Sequence, residues 1–174
     1  AGEAFDKVAK LLNLGYPGGV VIDRLAKEGN PQAIKFRRIY LKKDEFDFSF
    51  SGLKSAVMRY VQEQEVLDAT PDVHDLAASF QDAVVDVLVK KLLTAARIMD
   101  CPRIVTGGGV AANSRLRNVL AAKAARQTLQ LYMPPLSLYG DNAAIVASAG
   151  YRHLVNTDNP LDLHSDVSSR VNHM

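Results

Sequence analysis

Residues 103–113 read Arg103-Ile104-Val105-Thr106-Gly107-Gly108-Gly109-Val110-Ala111-Ala112-Asn113, and this stretch decides the fold. Ile104, Val105 and Thr106 predict a short buried strand. Three adjacent glycines force a bend, and a helix follows from about Asn113, with Leu116, Val119 and Leu120 facing inward. Leu129 to Met133 reads as a second strand, stopped by Pro134-Pro135, and Asp141 opens a small-residue helix over 142–153. Strand, glycine turn, helix, strand and helix in this order predict an α/β layer with parallel strands.

Upstream, the pattern is helical. Phe5, Val8, Ala9, Leu11 and Leu12 recur at helical spacing until Gly15-Tyr16-Pro17-Gly18-Gly19 breaks the run, and a second helix is expected over 20–28. Phe46, Phe48 and Phe50 alternate with Asp47 and Ser49, which predicts a strand with one buried face. A helix over 53–67 follows. Residues 72–99 form the longest helical pattern, an apolar stripe of Leu76, Phe80, Val84, Val87, Leu92, Ala95 and Met99 that Asp72 or Thr70 caps. Three divisions are expected: a helical insertion and hairpin region (1–70), an α/β core (71–155) and an irregular tail (156–174).

The 174 residues carry 21 Lys+Arg against 19 Asp+Glu, so the net charge of +2 selects no partner. The distribution is uneven. Residues 24–43 have a net of +6, residues 44–100 a net of −6, and 101–140 hold five bases and no acid. Two basic segments flanking an acidic one read either as a phosphate-attracting surface or as solvated helix faces. A single cysteine, Cys101, excludes an internal disulfide, and its place before Pro102 at a helix end predicts a buried structural thiol. No apolar run reaches membrane-helix length, which with the cysteine usage gives an expectation of a cytoplasmic or organellar protein. The start at Ala1-Gly2-Glu3, without Met, reads as a fragment of something longer.

Three constellations can carry chemistry. Without Cβ atoms at Gly107, Gly108 and Gly109, the backbone can approach a phosphate and offer it N–H groups, with the Asn113 amide in reach of a ribose or phosphate oxygen. The alternative is a tight turn with Asn113 as helix cap. Asp141, after Gly140 and before a helix of small residues, is placed either as a metal or hydroxyl ligand or as a helix cap. Glu3, Asp6 and Lys10 share one helical face, turned to a cleft or to solvent. The four histidines show no i,i+4 pair and no zincin spacing, and no GxSxG supports a hydrolase triad.

Taken together, GEAFDKVAKLLNLGYPGG, DFSFSGLKSAV, VTGGGVAANSRLR and YGDNAAIVASAG resemble, in this order, the TsaD-type tRNA threonylcarbamoyladenosine transferases, formerly called glycoproteases. The resemblance covers nearly the whole chain and the second half of the family's protein. It implies the C-terminal lobe of an actin/Hsp70/sugar-kinase-like (ribonuclease H-like) ATPase fold with a helical insertion. It also implies transfer of a threonylcarbamoyl group from threonylcarbamoyl-AMP to the adenosine beside the tRNA anticodon. By motif, Asp6 and Gly19 would hold the ribose and adenine side of the adenylate, or of ATP. Asn113 would contact the nucleotide above Gly107 and Gly108, and Asp141 would bind one divalent metal, iron or zinc. The family's remaining metal ligands are a His pair at i,i+4, which this chain lacks, so it is expected neither to hold the metal tightly nor to catalyse transfer alone. The implied partners are tRNA, a paralogous inactive subunit and a small ATPase, with no membrane. Three rivals are a sugar- or acetate-kinase-like ATPase, a metalloprotease and a non-catalytic binding lobe that scaffolds partner proteins. The protease reading requires HExxH or an equivalent, which is absent.

Overall fold

A computed structural model describes residues 1–40, 46–140 and 143–156. In chain order the elements are α1 (Gly2–Leu11), α2 (Gly18–Leu25), α3 (Ser51–Val66), α4 (Val73–Ile98), β1 (Arg103–Val105), a 3₁₀ turn (Gly109–Ala112), α5 (Ser114–Arg126), β2 (Gln130–Tyr132), a second 3₁₀ turn (Leu136–Leu138) and α6 (Ala143–Asn156). The architecture is mixed α/β, mostly helical, with a small parallel sheet. It divides into two compact units, Ala1–Tyr139 and Gly140–Met174, and α6 is the described part of the second.

The first unit is organised by α4. Asp72 caps it by accepting hydrogen bonds from the amides of His74 (2.8 Å) and Asp75 (3.1 Å), and these hold its carboxyl below the usual carboxylate range. The sequence pattern predicts one apolar stripe. Instead every residue from 76 to 85 is buried, Ser79, Gln81 and Asp82 included, because other elements cover the helix on all sides. Phe5, Val8, Ile22, Leu53 and Val57 pack with Leu76, Phe80 and Val84, and Phe5 meets Phe80 edge to face with ring centres 5.3 Å apart. One residue further on, Val85 joins Val89, Leu93, Ile104, Leu116 and Leu120 in a second cluster beneath the sheet. The helical segments before residue 70 therefore share a core with α4.

Gly29 makes this possible on one side. A Cβ there would lie 2.0 Å from the carbonyl oxygen of His74, so only glycine lets the loop after α2 lie against the first turn of α4. The loop is then fastened: the Asn30 amide donates to Asp75 Oδ1 (2.7 Å) and the Ile34 amide to Ser79 Oγ (3.1 Å).

The βαβ expectation holds. β1 and β2 pair in parallel with Ile104 opposite Leu131, and α5 makes the crossover. Three details differ from the sequence reading. Of β1 only Ile104 is buried, while Val105 is 75% exposed, so one face of this sheet lacks a covering layer within the first unit. Residues 46–50 form no strand, because no neighbouring strand among the described residues offers a ladder. Phe48 and Phe50 stack on one another there, and the Lys91 ammonium donates to the Asp47 carbonyl. Cys101 is exposed rather than buried. The expected tail from 156 falls almost wholly outside the described residues.

Candidate nucleotide site

Three helices converge on the bend between β1 and α5. From α1, Gly2 lies against Val110, with the Val110 Cγ2 3.6 Å from where a Gly2 Cβ would stand. From α2, Asp23 Oδ1 accepts both the amide (3.1 Å) and the hydroxyl (2.8 Å) of Ser114. From α4, Gln81 Oε1 accepts from Asn113 Nδ2 at 2.6 Å, both residues being buried. Asn113 Oδ1 in turn accepts from the Leu116 amide (2.9 Å), the side-chain cap of α5. The N-terminus of α5 is thus closed by the chain itself, with a carboxylate at the positive end of its dipole.

The glycine bend just before it is open. Gly107, Gly108 and Gly109 are exposed, and a Cβ on any of them would meet nothing within 4 Å. Gly108 has φ +78°, a left-handed conformation that glycine adopts without steric cost. Among the described residues, the amides of Gly107, Gly108, Gly109 and Val110 have no hydrogen-bond acceptor. Backbone donors left free on a glycine bend suit an oxyanion that approaches closely.

Asp6 sits on α1 and accepts from the Gly18 amide at 2.9 Å, which seats the start of α2 on α1. A Cβ on Gly18 would stand 2.6 Å from Asp6 Cα, so Gly18 serves close packing. The neighbouring Gly19 faces open space. A cavity of about 500 Å³ beside them is lined by Glu3, Asp6, Lys7, Lys10, Asn13, Gly15 and Tyr16, so Glu3 and Asp6 do border one cleft. Lys7 hydrogen-bonds Glu3 and holds its carboxyl below the ordinary range. Asp141 lies outside the described residues. The chain leading to it is anchored: buried Tyr139 brings its hydroxyl within 2.6 Å of Arg117 Nη1 and 3.1 Å of Thr106 Oγ1, the residue before the bend.

The acidic block has a structural use. Asp82 accepts from Arg38 (2.6 Å) and Arg115 (2.8 Å). Asp86 pairs with Arg38 (3.4 Å) and Lys123 (3.5 Å) and accepts from the Tyr40 hydroxyl (2.9 Å). Bases from both basic segments are therefore tied to α4, which removes Arg38, Arg115 and Lys123 from any free phosphate surface. Sequence reasoning missed Asp23, Gln81, Asp82 and Tyr139. Their partners are 91, 32, 33 and 33 residues away, and no local pattern carries such contacts.

The fold and the bend define an α/β protein with an open glycine turn between a parallel strand and a helix. The profile of the family TsaD, tRNA N6-adenosine threonylcarbamoyltransferase, matches residues 1–148. Curated proteins of that name are similar along the chain. The one from Desulforapulum autotrophicum is 52% identical over 173 residues, 98% of this chain and 51% of that protein. The one from Syntrophotalea carbinolica is 54% identical over 154 residues, 88% of this chain and 45% of that protein. The one from Clostridioides difficile is 48% identical over 156 residues, 90% of this chain and 46% of that protein. This chain belongs to the TsaD family of tRNA N6-adenosine threonylcarbamoyltransferases, and it spans about half the length of the curated relatives it matches.

Proposed function

We propose that the chain is the nucleotide-holding C-terminal lobe, of actin-like design, of an enzyme that moves a threonylcarbamoyl group from threonylcarbamoyl-AMP to the adenosine beside the tRNA anticodon. The observation that carries this reading is the set of four acceptor-free amides at residues 107–110, next to a helix end that is already capped. An incoming phosphate meets free donors at the bend and a carboxylate, Asp23, at α5. It is therefore held at the bend, with the nucleoside directed toward Asn113, Gly19 and Asp6.

In the transfer, the exocyclic amine of adenosine attacks the carbamoyl carbon, the bond from that carbon to the phosphate oxygen breaks, and AMP leaves while the amine loses a proton. Amides donating to the phosphate stabilise the negative charge that grows on the leaving AMP. The base reaches the site unstacked in the anticodon loop. Lys35 and Arg37, exposed and without an acid partner among the described residues, remain for tRNA phosphates.

For the divalent metal, iron or zinc, the described residues do not fit: no three His, Cys, Asp or Glu side chains gather among them. Asp141 would contribute one ligand to a site completed by a His pair elsewhere in the full-length protein. The paralogous subunit and the small ATPase complete the assembly. No helix among the described residues is long and apolar enough to cross a membrane, and we place the enzyme with its tRNA, in the cytoplasm or inside an organelle.

The test is a reaction of purified protein at the relatives' full length, with its paralogous subunit and small ATPase, threonylcarbamoyl-AMP and tRNA, read as threonylcarbamoylated adenosine by mass spectrometry. The product is expected with that protein and absent with the 174-residue chain. Phosphoryl transfer to a small acceptor with release of ADP, and no modified tRNA, would contradict the proposal.

A further inference from the structure

We infer that Gln81 is a positioning residue for nucleotide binding, acting through Asn113; the inference rests on the nucleotide reading above. An asparagine amide has two N–H donors and a carbonyl oxygen with two lone pairs, and neighbours decide which end points where. The α5 cap alone uses the carbonyl: Oδ1 accepts from the Leu116 amide at 2.9 Å. Gln81 fixes the other end by accepting one Nδ2 hydrogen at 2.6 Å from the buried middle of α4. One N–H and one lone pair remain for a ligand, in a single orientation. Gln81 is 4% exposed, and no buried side-chain polar atom of the described residues is left without a partner. Asp82, the next residue on α4, holds Arg115 at 2.8 Å, so the same turn of α4 grips the first turn of α5 on both sides of Ser114. Without the Gln81 carbonyl, the amide loses the partner that stops it from rotating away from the cap. The ligand then meets a mixture of orientations.

The experiment is AMP binding by titration calorimetry on the protein at the relatives' full length, with Gln81→Met, Asn113→Ser and the double variant. Met keeps the length and bulk of Gln81 but replaces its carbonyl with a thioether, a much weaker acceptor. Ser keeps the helix cap and removes the Nδ2 donor. Gln81→Met alone is expected to weaken AMP binding roughly tenfold, the worth of about one hydrogen bond. In the Asn113→Ser background it is expected to cost no further affinity, because the residue through which it acts is gone. Each variant's thermal unfolding is followed in parallel, so that affinity is compared between folded proteins. Unchanged AMP affinity in Gln81→Met, or full additivity in the double variant, overturns the positioning role while leaving the nucleotide reading in place. A wild-type protein that binds no AMP overturns both.

Discussion

The two halves of the segment 107–116 are treated in opposite ways. From Asn113 onward the amides of Ser114 and Leu116 and the asparagine side chain are matched from inside the molecule, by Asp23, Gln81 and the asparagine's own cap. From Gly107 to Val110 the four amides have no acceptor among the described residues. Unpaired backbone donors persist in a folded protein when water or a ligand takes them. The contrast therefore separates a closed helix start from an open bend over a distance of about one helical turn. Asn113 holds the scaffold with both ends of its amide, through Gln81 and Leu116.

Glycine substitutions break the comparison most sharply. Gly29→Ala puts a methyl 2.0 Å from the His74 carbonyl oxygen, and urea denaturation is expected to show a loss of about 3 kcal/mol or more. Gly107→Ala, with open space around it, is expected to change stability by under about 0.5 kcal/mol and yet weaken AMP binding, because the methyl occupies the approach to the amides. A large stability loss there would mean that the bend is packed and not open. Gly108→Ala falls between, costing about 1 kcal/mol from its positive φ.

Asp23→Ala sharpens the closed side. Losing the acceptor for Ser114 is expected to cost about 1 kcal/mol in thermal unfolding, as for a helix cap, and Asp23→Asn should recover most of it. The smallest effect concerns Tyr40. Burial, and then its hydrogen bond to Asp86, push its phenol up to about 12 from an ordinary 10.0. A raised value favours the protonated form in the folded state. The contribution is therefore complete below pH ~10 and disappears as pH rises toward about 12. Because Tyr40 is 39% exposed, the loss stays below about 1 kcal/mol. Tyr40→Phe should flatten that part of the stability profile.

Much of the fold was legible because its signals are local. The glycine bend, the parallel pair around α5 and the Asp72 cap all follow from adjacent residues. What was not legible depends on packing at long range. The alternation of Phe46, Phe48 and Phe50 imitates a strand, but a strand exists only where a neighbour supplies the ladder. The apolar stripe on α4 understated its burial, because its polar residues are covered once Ser79, Gln81 and Asp82 find partners on other segments. At the candidate site the sequence exposed the glycines and Asn113 as residue types. It could not reveal that Asp23 closes the helix end.

Amide hydrogen exchange, followed residue by residue with and without AMP in the protein at the relatives' full length, tests the central claim directly. The account predicts slower exchange at Gly107, Gly108, Gly109 and Val110 on AMP binding, with Ser114 and Leu116 little changed because they are already bonded. Protection that appears at Ser114 and Leu116 and leaves the four bend amides as they were would contradict it.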